Sequence, residues 1–155
     1  MSSSLFSYLC VSNNPNLNGC VRSLEYLDGS ALDVLYEGRD LIHLGWKLLA
    51  NPLYGNFKPN QQPYRSLILR NDAAEGASLD VESLSLIENA ICVFKSSPKL
   101  VRPGELPEQI DSDFRYLDFV LLEETFHQYS VLSSPGNRPG AAESGGQKRN
   151  FLNNR

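Results

Sequence analysis

Five polar residues near the start of the chain are the candidates for binding a small ligand: Asn13, Asn14, Arg39, His43 and Lys47. The two asparagines directly follow an apolar run, where their amides can present N–H groups to a small anion or a carboxylate. His43 and Lys47 are four residues apart, so a helix would place both on one side. A turn with an N-cap and an exposed helix face account for the same residues without any ligand.

No residue pattern indicates catalysis or a bound metal or cofactor. The sequence lacks the glycine-rich phosphate loops G-x-G-x-x-G and G-x-x-x-x-G-K-[ST], and no serine lies in a nucleophile elbow. Its two histidines, His43 and His127, lie in no metal-binding spacing. Cys10, Cys20 and Cys92 have the spacing of neither a zinc site nor a disulfide framework, so we expect buried reduced thiols.

The segment from residue 51 to residue 64 is predicted to be an irregular loop that contacts another protein. It has three prolines, one glycine and no apolar period. Proline stiffens a loop and favours the display of one shape. The candidate contact residues are Pro52, Phe57, Lys58, Pro59 and Tyr64. The other interpretation is a packed connection whose aromatic side chains cover the edge of a sheet.

Apolar runs bounded by turn residues predict three strands, at Leu5–Val11, Ala31–Tyr36 and Ser66–Leu69. Apolar residues at helical spacing predict four helices. The first two cover Pro15–Leu27, with Asn14 as N-cap, and Arg39–Ala50. The third begins after Ser78 or Asp80, and the fourth runs from near Pro107 until it fades at Tyr129–Leu132.

The fourth predicted helix is acidic. Its inner apolar stripe is predicted to consist of Ile110, Phe114, Leu117 and Leu121. Its carboxylates are expected largely on the outside: Asp111, Asp113, Asp118, Glu123 and Glu124. Such a face is solvated, and it can also dock a basic partner.

The element order β-α-β-α-β-α-α is typical of a small three-layer α/β domain with a short parallel sheet in strand order 2-1-3. A ligand crevice in such a sheet lies beyond the carboxyl ends of the strands. Here that edge comprises residues 12–14, 37–39 and 70–72. One functional hypothesis is therefore a binder of an amino acid or anion, or a minor enzyme, that uses Asn13, Asn14, Arg39 and Asp72, with His43 nearby.

Length and charge predict one acidic domain with a basic tail. The 155 residues carry a net charge of −4, of which the tail 133–155 contributes +3, leaving −7 for residues 1–132. The tail is poor in apolar residues and is expected to be disordered. An acidic domain argues against nucleic acid as a partner. The chain has no apolar segment long enough to span a membrane and no export signal, so we expect a cytoplasmic protein.

Two stretches of the chain resemble the GrdX family, small proteins encoded beside the components of the selenium-dependent glycine, sarcosine and betaine reductases of amino-acid-fermenting bacteria. One is the opening strand that ends in Asn13-Asn14-Pro15. The other runs from Gly45 to Ser66, with a helix end, a Pro-Leu step and a Lys-Pro loop. The resemblance implies the pathway and the compartment of such a reductase system more than a mechanism. The leading hypothesis is a non-enzymatic accessory or regulatory protein whose partner is a reductase component. We expect the 51–64 loop and the acidic fourth helix to make that contact.

Overall fold

Strands and helices alternate irregularly along the chain. A computed structural model describes residues 6–72 and 78–133. The strands are β1 (Phe6–Ser12), β2 (Leu24–Tyr26), β3 (Lys47–Leu48) and β4 (Ser66–Asp72). The helices are α1 (Ala31–His43), α2 (Val81–Lys95) and α3 (Glu108–Gln128), with one turn of 3-10 helix at Pro15–Leu17. The predicted α/β class is confirmed.

The four strands form a mixed sheet in the order β2-β1-β4-β3. β1 pairs in parallel with β2 but antiparallel with β4, from Phe6 opposite Asp72 to Ser12 opposite Ser66. β3 is also antiparallel to β4. The strands predicted at Leu5–Val11 and Ser66–Leu69 are confirmed as β1 and β4. The prediction of an all-parallel sheet in the order 2-1-3 is wrong.

The segment predicted as a strand at Ala31–Tyr36 is instead the beginning of α1. Ser30 and Asp33 form a capping box: Ser30 Oγ accepts from the Asp33 N–H at 3.2 Å, and Asp33 Oδ2 accepts from the Ser30 N–H at 2.9 Å. The buried residues of α1 recur at helical spacing: Ala31, Val34, Leu35, Gly38 and Ile42. The cap satisfies N–H groups that a helix leaves free at its start, which favours helix over strand here.

The helix predicted at Arg39–Ala50 is wrong beyond the end of α1, and Gly45 is the reason. Gly45 has a positive φ of 104°. Its N–H donates to Ile42 O at 3.0 Å, and the Trp46 N–H donates to Leu41 O at 3.1 Å. This pair of bonds is a Schellman motif, which ends a helix and turns the chain, here into β3.

The helix predicted at Pro15–Leu27 is reduced to one 3-10 turn. Gly19 has φ +83°, so the chain turns there and does not continue as a helix. Leu17, Cys20 and Val21 are nevertheless buried beside α3. The apolar residues in this segment therefore indicate that it is buried, not that it forms a helix.

Helices cover both faces of the sheet. α1 and α2 pack on the face that carries Leu67 and Leu69, whereas α3 and the 3-10 turn pack on the face that carries Cys10 and Ile68. α2 is the predicted third helix, and Asp80 is its N-cap, as one of the two predicted alternatives.

Helix α3 is present as predicted but buries a different stripe. Its buried residues are Asp111, Ser112, Asp118, Phe119, Leu122 and Phe126. Ile110 and Leu121, which were expected inside, are 45% and 39% exposed. Asp111 and Asp118, which were expected outside, are 3% and 0% exposed. The carboxylates enter the interior because other segments of the chain supply hydrogen-bond donors for them.

The predicted crevice does not form, because of the direction of β4. Asp72 lies opposite Phe6 at the start of β1, whereas Asn13 follows the end of β1, beside Ser66. The 51–64 segment is irregular, as predicted, and it enters β4 at Ser66. It therefore lies at the same end of the sheet as Asn13.

The predicted tail at 133–155 lies outside the described residues except for Ser133. Within the two described ranges, no helix combines the length and the apolar character needed to cross a membrane.

Candidate functional site

The carboxamide of Asn13 joins three segments at the end of β1. Its Nδ2 donates to Gly29 O and to Pro63 O, both at 3.0 Å. Its Oδ1 accepts from the Arg65 N–H at 2.9 Å. Both amide hydrogens and the oxygen are thus used inside the protein. The side chain links β1 to the segment before α1 and to the end of the 51–64 loop.

The carboxamide of Asn14 is likewise used within the protein. Its Oδ1 accepts from the Asn16 N–H at 3.0 Å, which confirms the predicted N-cap, although of a 3-10 turn. Its Nδ2 donates to Arg115 O at 2.9 Å and to Asp118 Oδ2 at 3.0 Å. Asn14 therefore fastens the end of β1 to α3, and neither of its amide hydrogens is available to a ligand.

The carboxylate of Asp118 is the centre of a buried polar network. Its Oδ1 accepts from the Tyr54 hydroxyl at 2.5 Å, and its Oδ2 accepts from Ser66 Oγ at 2.7 Å in addition to Asn14. Since Ser66 donates its only hydroxyl hydrogen to Asp118, it must accept from Ser12 Oγ, which lies 2.7 Å away. The backbone N–H of Ser66 donates to the Tyr54 hydroxyl at 2.7 Å. The network joins β1, β4, the loop and α3.

The electrostatics of this network keep its hydroxyl and thiol neighbours protonated. Burial and the charge of Asp118 raise the pKa of Tyr54 well above its usual value, although Arg65 acts in the opposite direction. Burial, and then Asp118, raise the pKa of the Cys10 thiol. Tyr54 therefore serves as a donor, and Cys10 is poorly suited to act as a nucleophile, because the thiolate is the reactive form.

Arg65 holds the loop from inside. Its side chain is 2% exposed and donates from one terminal nitrogen to Pro52 O at 3.2 Å and to Tyr54 O at 3.1 Å. The guanidinium also lies over the rings of Tyr54 and Phe94, at 4.3 and 5.5 Å from their centroids. A buried guanidinium that binds two carbonyls restricts the loop backbone to one path.

Tyr64 anchors the far end of the loop to α3. Its hydroxyl donates to Asp111 Oδ2 at 2.6 Å, and Arg115 pairs with the same carboxylate oxygen. Arg115 also donates to Glu108 at 3.0 Å and to Asn16 Oδ1 at 3.2 Å. Burial and the bond to Asp111 raise the pKa of Tyr64, so the phenol stays a donor. Tyr64, predicted as a contact residue, is itself buried and acts from inside.

Of the other predicted contact residues, Pro52 is buried, whereas Phe57, Lys58 and Pro59 lie on the outer side of the loop. Phe57 meets Phe114 of α3 edge to face, with centroids 5.5 Å apart. Lys58 is exposed, and its N–H donates to Gln61 Oε1 at 2.8 Å. The loop therefore presents a phenylalanine and a lysine on a backbone that its own hydrogen bonds hold in place.

An apolar stripe of α3 borders this side of the loop. Ile110 and Leu121 are 45% and 39% exposed, and a Cβ built on Gly55 would lie 3.0 Å from Leu121 Cδ1. The exposed carboxylates of Asp113 and Glu124 lie beside the stripe at helical spacing. We call this area the loop–α3 surface; it consists of Phe57, Lys58, Ile110, Phe114, Leu117 and Leu121, with Asp113 and Glu124 at its margin.

The other predicted ligand residues lie apart from the two asparagines. Arg39 lies on α1 and pairs with Glu88 of α2 at 3.4 Å. His43 is the exposed last residue of α1. Lys47 lies opposite Arg70 in the sheet. The structure brings Asn13 together with the 51–64 loop, but it does not bring Arg39, His43 or Lys47 to that place.

A profile of the GrdX-like protein family matches residues 9–127. This chain belongs to the GrdX-like family. The matched range contains both asparagines, the 51–64 loop and the Asp118 network of this GrdX-like protein. No curated protein and no solved structure matches the chain.

Four residues that organise the site of this GrdX-like protein were missed in the sequence: Tyr54, Arg65, Ser66 and Asp118. One signal for Asp118 was present, because Asp111, Asp118 and Leu122 recur at seven and four residues, on the same side of a helix as Phe119 and Phe126. In the part of the chain that the structure describes, no group of His, Cys, Asp or Glu side chains is placed to hold a metal ion. The arrangement can position the loop and display it.

Proposed function

We propose that this GrdX-like protein is a cytoplasmic accessory or regulatory component of a selenium-dependent glycine or betaine reductase system. It has no catalytic activity of its own and binds a reductase component through the loop–α3 surface. Membership of the family supports the choice of pathway. The geometry of the loop supports the mode of action.

The observation that carries the proposal is that the 51–64 loop is held at three points from inside. Arg65 binds the backbone at Pro52 and Tyr54, the Tyr54 hydroxyl binds Asp118, and Tyr64 binds Asp111. A loop that is ordered before binding loses little conformational entropy on association, so more of the contact energy appears as affinity. The buried anchors thus serve the half-buried Phe57 and the exposed Lys58.

The chemistry of the loop–α3 surface indicates the kind of partner. Ile110 and Leu121 supply exposed apolar area, and Asp113 and Glu124 place negative charge beside it. A complementary partner carries an apolar patch next to lysine or arginine residues. The alternative of a ligand crevice loses support, because it required parallel strands and free amides at Asn13.

Binding of each purified reductase component to the full chain, measured by calorimetry and by sedimentation, tests the proposal. Leu121→Asp should weaken binding by about tenfold or more, because it places a charge within the apolar contact. Val81→Asp is the matched control, since Val81 is 71% exposed on α2, away from this surface. Absence of binding to every component, or equal effects of the two variants, would contradict the proposal.

A further inference from the structure

One edge of β1 is only half covered. β4 pairs with β1 along its whole length, but β2 pairs only with Cys10–Ser12 on the other side. The Cys10 N–H donates to Ser23 O at 2.9 Å, and Ser12 O accepts from the Leu27 N–H at 2.8 Å. Alternate residues of a strand direct their backbone groups to the same edge, so Tyr8 directs its N–H and C=O there as well. Within residues 6–72 and 78–133, no strand occupies this part of the edge.

A cleft of about 270 Å³ lies beside this uncovered edge. Its main lining residues are Tyr8, Leu9, Arg22, Ser23, Tyr129 and Ser130. The rings of Tyr8 and Tyr129 pack against each other, with centroids 5.8 Å apart. The cleft therefore combines a strand edge, an aromatic wall and one cation.

Arg22 is the charged group of the cleft. Its Nε donates to Leu132 O at 2.9 Å, which orients the guanidinium, and no ion pair within the described residues involves it. Its side chain is exposed, so its terminal nitrogens can take a carboxylate in the bidentate geometry that guanidinium groups favour.

Ser130 adds a second, independent feature. It follows α3 in the left-handed conformation, φ 56°, and it is a non-glycine residue with positive φ. The Ser130 N–H donates to His127 O at 3.2 Å and the Val131 N–H to Phe126 O at 3.0 Å, which is a Schellman motif with serine where glycine is usual. Ser130 lines the cleft and holds a conformation that strains the backbone of a non-glycine residue, a pattern typical of binding sites.

We propose that this cleft binds the C-terminal end of an extended peptide from a protein partner, which adds as a strand to the edge of β1 at Tyr8 and places its terminal carboxylate on Arg22. The direction follows from β2. A peptide that runs parallel to β1 beside Tyr8 lies in line with β2 and ends before Ser23, whose carbonyl already bonds the Cys10 N–H, next to Arg22. The backbone of Tyr8 supplies the strand contacts, as in other cases of strand addition.

A display library of random peptides with free C-termini, selected against the full chain, provides the probe. The enriched pentapeptide is then synthesised with a free carboxylate and as the C-terminal amide, and each is titrated by fluorescence polarisation. The amide should bind about tenfold more weakly than the acid, because it loses a charge-assisted pair of hydrogen bonds. Arg22→Ala should remove this difference, and Ser130→Gly should weaken the acid while leaving the protein folded. Arg102→Ala, an exposed arginine before the other end of α3, is the matched control.

Amide NMR spectra locate the contact and separate the alternatives. The acid peptide should shift the signals of Tyr8, Ser23 and Ser130 and slow hydrogen exchange at Tyr8. Enrichment of no C-terminal consensus, equal binding of acid and amide, or shifts confined to the loop–α3 surface would overturn the proposal. The same is true if acetate alone reproduces the shifts, which would indicate a site for small carboxylates, or if sedimentation shows that a second copy of this chain occupies the edge. Apart from shifts confined to the loop–α3 surface, none of these outcomes bears on binding through that surface.

Discussion

Removal of the Asp118 carboxylate tests the buried network most directly. In Asp118→Ala, the Tyr54 hydroxyl, the Ser66 hydroxyl and one hydrogen of Asn14 Nδ2 lose their acceptor in the interior. Each buried donor without a partner costs about 1–3 kcal/mol, and hydroxyl groups recover part of this by rotation. We therefore expect the free energy of unfolding to fall by about 3–5 kcal/mol. That is a large share of the roughly 5–15 kcal/mol that stabilises a domain.

One further variant separates the charge of the Asp118 side chain from its shape, and a second serves as its control. Asp118→Asn keeps the volume but turns one acceptor into a donor, which then faces other donors, so we expect a loss of about 1.5–3 kcal/mol. Asp113→Asn is the matched control on the exposed side of α3, and it should stay within about 0.5 kcal/mol of the unmodified protein.

Urea unfolding at constant pH measures these differences, provided that the dependence on urea concentration stays the same among variants. The melting temperature of Asp118→Ala should fall by about 9–15 °C, from roughly 3 °C per kcal/mol for a chain of this size. Hydrogen exchange should accelerate in residues 51–64, because Tyr54 loses its anchor. Equal stability of Asp118→Asn and Asp113→Asn would show that the three donors do not converge on the carboxylate of Asp118.

Three other changes test separate parts of the structure. Gly38→Ala should lower the free energy of unfolding by about 1–2 kcal/mol in urea, although alanine has the higher helix propensity, because the new Cβ would lie 2.3 Å from Leu67 Cδ1. Greater stability would show that α1 does not approach β4 so closely. Ser130→Gly should leave the free energy of unfolding unchanged or raise it by up to about 1 kcal/mol, because glycine adopts positive φ freely; a lower melting temperature would contradict this. Above about pH 10, the free energy of unfolding should fall, because burial and a neighbouring carboxylate raise the pKa of Tyr54 and Tyr64 in the folded protein and the unfolded chain loses those protons first. Urea unfolding between pH 8 and pH 11 measures this slope, and Tyr64→Phe should reduce it; an unchanged slope would count against the burial of that phenol.

The sequence predicted where most segments with regular structure lie but not how β4 runs. Ser66–Leu69 was correctly predicted as a strand, because its apolar run and turn boundaries are local signals. Strand direction is not a local property. In the structure the 51–64 segment joins β3 to β4 without a helix, whereas parallel neighbours usually need a helical crossover. Its irregularity favours an antiparallel return.

The error at residues 31–36 has a different cause. A short apolar run such as Ala31–Tyr36 fits a buried strand and a buried helix equally well. The deciding signal was the pair Ser30 and Asp33, which has the spacing of a capping box. Gly38 also lies within α1, where its missing Cβ lets the helix approach Leu67.

Helix α3 shows why the site could not be predicted from periodicity. The stripe of Ile110 and Leu121 has correct helical spacing, but it lies at the surface, while Asp111 and Asp118 lie inside. Arg115 and Gly104 lie near Asp111 in sequence, but the other donors come from distant segments: Tyr54 and Tyr64 from the 51–64 segment, Ser66 from β4 and Asn14 from the end of β1. No short window of sequence therefore contains the whole network. Stability alone favours the reverse arrangement, with the apolar residues inside and the carboxylates in water. The observed arrangement holds the loop in one conformation and leaves apolar area beside it, which is the combination that a docking surface requires.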